Sequence, residues 1–340
     1  MNFKEYVESH RKEIYAKISE YIPEKEPREH YKMVREYVTR QGSYRRPGLL
    51  MLSGEMFGAR PEELLLPSAA IQLSEDWILM HDDVEDDSEL RRGKPALHRL
   101  YGANHAINAG DSAHIKMWKM LRDYIGSAGL EKGGAVYDKF YDMLEKTVEG
   151  QYMDIRFIES RKDMGSAGED LYFRIAENKT SYYTVYGPMQ IGAMVAGCGA
   201  ETLDAIRNIG RPAGLAFQIV DDILDMIGDE KTFGKKRYGD LYEGKLTLII
   251  LHAYGKATSA EKKRINNIYN KPRKGKSPDE ISYLAELINR YGSVDHAGSI
   301  AKKYSQQAKD AIERYSGAFP HNEFRDVMLS AIEELYARKK

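Results

Sequence analysis

Apolar residues recur with the period of an α-helix through most of the chain. Phe217, Val220 and Leu224 stand at i, i+3 and i+7, which places them on one face of a helix. Alternating patterns typical of strands are scarce. Helices are predicted at Phe3–Tyr21, Tyr31–Arg40, Leu64–Leu90, His105–Tyr124, Ala135–Phe157, Asp170–Ala196, Glu201–Gly228, Leu246–Ala257, Ile281–Tyr291, Ser293–Tyr315 and Glu323–Arg338. The sequence therefore predicts an all-α protein.

Three stretches lack this period and are predicted to be irregular: Glu159–Gly168, Asp229–Gly244 and Lys271–Asp279. The second could cover a substrate, and the third, which is basic, is predicted to be a solvated loop. The helix that carries Leu90 is expected to end there, because Gly93 and Pro95 follow shortly after it. No linker divides the 340 residues, so the chain is predicted to form one domain, 1–340.

Composition narrows the function classes. The chain has 51 basic and 52 acidic residues and a net charge of -1, which argues against nucleic-acid binding driven by bulk charge. Its single cysteine, Cys198, cannot form an internal disulfide, which fits a reducing cytoplasm. The N-terminal segment is charged throughout, and no apolar run approaches the ~18 residues of a membrane span. The sequence predicts a cytoplasmic protein without a membrane span.

Two clusters of aspartates carry the candidate chemistry. The first reads DDVED from Asp82 to Asp86, and the second reads DDILD from Asp221 to Asp225. Acids at i and i+4 lie one turn apart on the same face of a helix. Mg²⁺ prefers a few carboxylates together with waters and substrate phosphates. Two such clusters that face each other would hold a diphosphate between metal ions.

A solvated acidic face is the alternative interpretation of either cluster. The second cluster fits it less well, because apolar residues such as Ile219, Val220 and Ile223 surround its acids. Gln218 and Asp222 share a polar stripe on the same helix. Carboxylates beside a core must be paired or coordinated, which favours a metal site there.

With the segments around them, the clusters resemble the trans-prenyl diphosphate synthases, in particular archaeal-type short-chain polyprenyl synthetases of the farnesyl and geranylgeranyl kind. The resemblance extends from about Arg40 to the C-terminus and implies a single-domain helical bundle around a central active-site cavity. The matching motifs, in the family's order, are DDxxD at Asp82, Arg91-Arg92-Gly93, Gly110-Asp111, EGQYMD at Glu149, Lys179-Thr180, Gln218 with DDxxD at Asp221, Lys235, and DLYEGKLT with Lys245.

The resemblance implies the chemistry. An allylic diphosphate loses pyrophosphate, the double bond of isopentenyl diphosphate attacks the cation, and a proton is then lost. Metal ions, about three Mg²⁺, would lie on Asp82, Asp86 and Asp222 and neutralise the leaving group. A short-chain product of about twenty carbons and a homodimer are expected by the same resemblance. The residues to which it assigns catalytic roles are Asp82, Asp83, Asp86, Arg91, Lys179, Thr180, Gln218, Asp221, Asp222 and Lys235.

Trp77 has two interpretations that are compatible. It belongs to an apolar stripe with Leu73 and Met80, which is typical of core packing. In the family, the residue five positions before the first aspartate often forms the floor of the elongation cavity, and a bulky aromatic there limits product length. Trp77 holds that position, with Ile78 beside it. The neighbouring His81 is expected to be structural.

The site for the second substrate departs from the family. Members usually read GGKRxRP where this chain reads QGSYRRP at 41–47, so Ser43 replaces a lysine and Tyr44 an arginine. Glu75 stands where the family has a histidine, seven residues before the first aspartate. The residues assigned to substrate binding are Ser43, Tyr44, Arg45, Arg46, Glu75, Arg92 and Lys245.

These replacements are compatible with three different enzymatic activities. Two unit charges about 4 Å apart interact by about 4 kcal/mol at an effective dielectric constant of about 20, so a carboxylate beside a diphosphate weakens binding strongly. The penalty disappears if Glu75 is protonated, turned away, or paired with Arg45 or Arg46. Three activities are therefore left open. The enzyme uses isopentenyl diphosphate through rearranged contacts, it prenylates a different acceptor, or it ionises an allylic diphosphate alone, as class I terpene cyclases do. A non-catalytic helical partner subunit is the fourth alternative.

Overall fold

The computed structural model of the protein describes residues 1–160, 164–228 and 237–336, and most of them are helical. Its α-helices are α1 (Phe3–Tyr21), α2 (Arg28–Arg40), α3 (Arg45–Met56), α4 (Pro61–Glu85), α5 (Leu97–Tyr101), α6 (Ala103–Ala128), α7 (Leu130–Glu159), α8 (Glu169–Ile175), α9 (Gly187–Val195), α10 (Ala200–Ile227), α11 (Gly239–Glu243), α12 (Leu248–Lys256), α13 (Ser259–Tyr269), α14 (Pro278–Arg290), α15 (Ser293–Tyr315) and α16 (Glu323–Tyr336). A π-helix, Ala176–Tyr186, joins α8 to α9. The all-α prediction is confirmed.

The hydrophobic period located most helices and missed some. α1 and α15 have the predicted bounds. α3 was missed because it has no polar face: Leu49, Leu50, Met51 and Leu52 are all fully buried, and a helix that is apolar all round shows no period. α13 was also missed, although Thr258 caps its first turn together with Glu261. α11 lies in a stretch that was predicted to be irregular.

The predicted end of α4 at Leu90 was wrong. The helix ends at Glu85, and Asp87 adopts the left-handed conformation, with φ 52°. Aspartate tolerates this conformation better than most residues, so the helix can end before the glycine. Leu90–Arg91 (β1) then pairs antiparallel with Lys94–Pro95 (β2). This hairpin turns Arg91 and Arg92 back towards α4, where they meet carboxylates.

The described residues divide into two compact units. The first contains Met1–Met143, Tyr183–Ile209 and Ile312–Ile332; in it, α4 packs against α6, α3 and α1, and α3 packs against α9. Gly192 of α9 permits the last contact, because a Cβ there would collide with the carbonyl oxygen of Leu50. That the chain forms one domain, 1–340, stays a prediction.

The second unit contains Leu144–Tyr182, Gly210–Ala311 and the segment from Glu333 onwards. In this unit α12 contacts α8, α13 and α14. The core is built from aliphatic and aromatic side chains, among them Tyr172, Leu215, Ile219, Leu248, Ile265 and Leu284. Ile219 belongs to the same helix as the second aspartate cluster, so the core fixes that helix.

Within the described ranges, no helix combines the length and the hydrophobicity that crossing a membrane requires.

Candidate active site

The first aspartate cluster lies at the end of α4, and its three aspartates differ in environment. Asp83 is fully buried, and its carboxylate accepts hydrogen bonds from the hydroxyl of Tyr37 (2.6 Å) and from Nε of Arg91 (3.0 Å). Asp82 and Asp86 are half-buried, and Arg91 lies 3.4 Å from Asp82. Asp83 therefore fixes Arg91 beside the cluster, while the more exposed Asp82 and Asp86 are the acids that a ligand can reach.

Four charged side chains lie next to this cluster in the first unit, two buried carboxylates and two half-buried guanidinium groups; we call Arg46, Arg92, Glu75 and Asp76 the acceptor cluster. Nη1 of Arg46 lies 3.0 Å from the Glu75 carboxylate, and Nη2 of Arg92 lies 3.6 Å from it. Nη1 of Arg92 lies 2.8 Å from Asp76. The two guanidinium groups are thus balanced by two carboxylates, and the acceptor cluster carries no net formal charge.

The pKa values of its acids follow from this arrangement. Burial by itself raises the pKa of Glu75, but Arg46 and Arg92 outweigh it and lower that pKa below its ordinary value. Burial raises the pKa of Asp76 to about 6, against the opposing effect of Arg92. Glu75 is therefore ionised, and of the three ways to relieve its charge, the structure shows pairing with Arg46.

Arg46 is held by further contacts. Its Nη2 donates to the hydroxyl of Thr184 at 2.9 Å, and its guanidinium lies over the ring of Tyr183, 4.5 Å from the centroid. The hydroxyl of Tyr183 lies 2.8 Å from that of Ser74. Sequence reasoning missed Tyr183 and Thr184, because no local pattern links the end of the π-helix to the start of α3.

Ser43 and Tyr44, which stand where the resemblance implies a lysine and an arginine, lie in different environments. Ser43 is exposed, but Tyr44 is 1% exposed, and the guanidinium of Arg11 lies 4.6 Å from the centre of its ring. Arg11 also donates to the carbonyl of Gly42 at 2.7 Å. Tyr44 is thus a core residue, and its assignment to substrate binding stays a prediction. Arg45 is half-buried.

Trp77 is the first member of an aromatic row. It is 8% exposed, and its ring lies 4.7 Å from that of His114. Nε1 of Trp118 donates to Nε2 of His114 at 2.7 Å, and Trp118 packs against Tyr137. Among the described residues, Nε1 of Trp77 has no hydrogen-bond partner. Ile78 is half-buried beside it. Trp77 is thus a core residue with an unsatisfied donor.

The second aspartate cluster lies at the end of α10, in the second unit. Asp222 is 6% exposed and accepts hydrogen bonds from the hydroxyl of Tyr172 and from Nε2 of Gln218, both at 2.7 Å. Oε1 of Gln218 accepts from the hydroxyl of Thr180 at 2.6 Å. Thr180, Gln218 and Asp222 therefore form one chain of hydrogen bonds. Tyr172 gave no signal in the sequence.

Carboxylates crowd around Asp222. Burial raises the pKa of Asp222 to about 7; the nearby Asp221 and Asp225 act in the same direction, against the hydrogen bonds from Tyr172 and Gln218. Burial and the charge of Asp225 likewise raise the pKa of Asp240 well above its usual range. Asp221 is exposed, and Asp225 accepts a hydrogen bond from the backbone N–H of Asp240 at 3.1 Å.

The lysines assigned from the sequence are paired or lie outside the described residues. Nζ of Lys179 lies 2.9 Å from Asp154, the last residue of the EGQYMD segment. Nζ of Lys245 lies 2.7 Å from Glu243. Lys235 belongs to residues 229–236, which the structure does not describe. Both described lysines are thus paired with carboxylates.

The donors of the second cluster suit a hard divalent cation. Within the described part of the chain, no three acidic, histidine or cysteine side chains already converge as a complete ligand set. The buried Asp222 is nevertheless partly protonated near neutral pH because of burial and its acidic neighbours. A cation with oxygen ligands would replace that proton and relieve the repulsion, which is the environment that Mg²⁺ or Ca²⁺ prefers.

Comparisons with known proteins agree on one family. The family profile described as Polyprenyl synthetase matches residues 27–288. A geranylgeranyl diphosphate synthase of Methanosarcina mazei is 31% identical over 317 residues, 92% of this chain and 92% of that protein. A geranylfarnesyl diphosphate synthase of Aeropyrum pernix is 35% identical over 278 residues, 80% of this chain and 83% of that protein.

The fold has solved counterparts. The crystal structure of a geranylgeranyl pyrophosphate synthetase from Pyrococcus horikoshii matches with a TM-score of 0.84 and 32% sequence identity, covering 99% of this chain and 98% of that one. These similarities agree with the resemblance that the two aspartate motifs indicated.

Proposed function

The chain belongs to the polyprenyl synthetase family and is a prenyltransferase, and from this premise we propose that it condenses an allylic diphosphate with isopentenyl diphosphate. The products are pyrophosphate and a short-chain prenyl diphosphate of about twenty carbons. The names of similar proteins, geranylgeranyl and geranylfarnesyl diphosphate synthases, support a short-chain product. The proposal depends on one observation, the environment of the buried Asp222 carboxylate. Gln218 and Tyr172 donate hydrogen bonds to this carboxylate, and burial beside other acids raises its pKa.

Asp82 and Asp86 of the first cluster and Asp222 of the second are the residues proposed to hold Mg²⁺. About three ions are expected, as in the family. When bound, the metal neutralises the charge that develops on the departing pyrophosphate. Gln218 and Thr180 keep the Asp222 carboxylate in one orientation, and Asp83 does the same for the Arg91 guanidinium.

Three basic side chains are proposed to bind the leaving group. Arg91, Lys179 and Lys235 are proposed to donate charge-assisted hydrogen bonds to phosphate oxygens. In the free protein Arg91 and Lys179 are held by carboxylates. Those carboxylates keep each cation in place before the substrate arrives, so less side-chain entropy is lost on binding. The released pyrophosphate is the proposed acceptor of the final proton.

A different acceptor is the second candidate function, and the acceptor cluster favours it specifically. Glu75 and Asp76 already neutralise Arg46 and Arg92. A second diphosphate must compete with these carboxylates, whereas an uncharged acceptor need not. Cyclase-like ionisation without any acceptor is compatible with the same residues. Membership in a prenyltransferase family sets aside the non-catalytic partner subunit.

Two finer expectations follow from the family. A homodimer is proposed, and the exposed Ile115 (68%) and Ile107 (42%) on α6 support an apolar contact surface. Light scattering of the purified protein would give twice the chain mass. A cytoplasmic location is proposed because the single cysteine cannot form an internal disulfide.

The test measures pyrophosphate release from allylic diphosphates of increasing length, with and without isopentenyl diphosphate, in Mg²⁺ and after chelation. The proposal expects release that requires both Mg²⁺ and isopentenyl diphosphate. Release that needs Mg²⁺ but not isopentenyl diphosphate would favour the cyclase-like alternative. Release that appears only when another nucleophile is supplied would favour the altered acceptor.

A further inference from the structure

The basic loop after α13 contains a buried lysine. Lys276 is 5% exposed, although the loop was predicted to be solvated. Its Nζ donates to the backbone carbonyls of Leu241 (3.0 Å) and Tyr242 (2.9 Å), in the last turn of α11. Burial lowers the pKa of Lys276 to about 8. Removing a lysine from water is costly, so such a residue is retained for the contacts that it makes.

The other end of α11 rests on the second aspartate cluster. The backbone N–H of Asp240 donates to the Asp225 carboxylate at 3.1 Å, and that of Tyr238 donates to the Asp225 carbonyl at 3.0 Å. A Cβ on Gly239 would lie 2.9 Å from Oδ1 of Asp225, so glycine allows this close approach. The orientation of the Asp225 carboxylate therefore depends on where α11 begins.

α11 thus connects Lys276 to the carboxylates around Asp222. The helix has five residues, which is too short to be stable without contacts at its ends. Asp225 lies one turn after Asp222 on α10 and accepts the hydrogen bond from the backbone of Asp240, so it connects α11 to the second cluster. A shift of α11 along its own axis would move Asp240 against Asp225 and change this arrangement.

We propose that Lys276 is a positioning residue for the metal site of the second cluster: by binding the C-terminal carbonyls of α11, it holds the first turn of that helix against Asp225. This inference rests on the proposed function, in which Asp222 holds Mg²⁺. Lys276 itself touches neither metal nor substrate. It acts through α11, as groups behind a ligand commonly do, and their loss weakens metal binding about 10–100-fold.

The test measures Mn²⁺ binding directly, by loss of the free-ion electron paramagnetic resonance signal, with pyrophosphate present and no allylic substrate. Every variant is measured well below its own melting temperature. Lys276→Met and Gly239→Ala disturb opposite ends of α11, and both are expected to raise the Mn²⁺ dissociation constant about tenfold or more. The matched control is Lys271→Met, in the same loop, which removes only an exposed pair with Glu280 and should leave the constant unchanged.

A double variant separates positioning from plain stability. In an Asp222→Ala background the second site is already lost, so adding Lys276→Met should cause no further loss of Mn²⁺ binding. Lys276→Met that lowers the melting temperature but keeps the wild-type dissociation constant would overturn the inference, as would a further loss of binding in the double variant. If the wild-type protein takes up no Mn²⁺, the metal site itself is refuted, and this inference falls with it.

Discussion

The carboxylate of Glu75 lies 3.0 Å from Nη1 of Arg46. The resemblance to the family implies a histidine at position 75. Glu75 is buried and Arg46 is half-buried, and Nη2 of Arg92 lies 3.6 Å from the same carboxylate. Glu75 therefore occupies the guanidinium groups that a second anionic substrate would need. This relationship links one substitution in the sequence to the choice of acceptor.

Restoring the family pattern should improve the use of isopentenyl diphosphate. Ser43→Lys with Glu75→His removes the competing carboxylate and adds a cation, so the KM for isopentenyl diphosphate should fall by about tenfold or more. Steady-state kinetics at saturating allylic diphosphate measures the change. Glu36→Gln, which removes an acid from a different arginine pair in the same unit, is the matched control. A wild-type KM equal to or below that of the double variant would show that the acceptor cluster is already competent.

The acids of the first cluster should separate into two kinds. Asp82→Ala should lower turnover by orders of magnitude and leave the fold intact, because Asp82 is half-buried and proposed to hold metal. Asp83→Ala should cost about 3–5 kcal/mol of unfolding free energy, since it removes the fully buried carboxylate that pairs with Arg91 and accepts a hydrogen bond from Tyr37. Urea unfolding and turnover, measured on both variants, test the distinction. Near-normal activity of Asp82→Ala at saturating Mg²⁺ would remove Asp82 from the metal site.

The size of Trp77 is expected to limit product length. Trp77→Ala should lengthen the product by one or more five-carbon units, whereas a plain core role predicts only a loss of about 3–5 kcal/mol of stability. Chromatography of the products beside a melting curve distinguishes these outcomes. Leu64→Ala, which empties a fully buried position at the start of the same helix, should reduce stability without altering the product. An unchanged product in Trp77→Ala would leave Trp77 as core alone.

The raised pKa of Asp222 predicts how pH affects stability. In the unfolded chain an aspartate titrates at about pH 4. The folded protein keeps the proton up to about pH 7, so it binds more protons than the unfolded chain between these values. The contribution of Asp222 to stability is therefore largest at low pH and is lost as pH rises through this window. Bound Mg²⁺ would replace the proton and remove that loss.

Melting temperatures with and without Mg²⁺ and pyrophosphate test this dependence. The stabilisation by Mg²⁺ and pyrophosphate should be larger at about pH 8 than at about pH 6, because the proton no longer competes with the metal. Asp222→Asn is the control, because the protonation of pyrophosphate itself affects this variant and the wild type equally. In this variant the stabilisation by Mg²⁺ and pyrophosphate should differ less between the two pH values. An equal difference in wild type and Asp222→Asn would contradict the assignment of Asp222.

Local sequence predicted most of the helices and placed Gln218 and Asp222 on one polar stripe, because both inferences depend on spacing along a helix. Gln218 and Asp222 are four residues apart on α10, and the structure joins them by a hydrogen bond. The bounds of α1 followed from its apolar period. The burial of α3 removed the polar face that the period needs, so that helix could not be found in the same way.

Contacts between distant segments could not be predicted. Tyr172 donates to Asp222 across 50 positions, and Arg11 covers Tyr44 from another helix. Lys276 belongs to a basic loop that the sequence predicts to be solvated, and only the structure shows that its side chain donates to a backbone carbonyl of α11. From the sequence, Glu75 could be protonated, turned away, or paired with Arg45 or Arg46. The structure shows the pair with Arg46.

The most direct test of the account is the ratio of labelled isopentenyl diphosphate incorporated to pyrophosphate released, with the product identified by mass. An allylic diphosphate is supplied as primer, with Mg²⁺ in excess. The account predicts one pyrophosphate for each five-carbon unit added and a prenyl diphosphate of about twenty carbons as the main product. Pyrophosphate release without incorporation of the label, or no release at all in Mg²⁺, would contradict it.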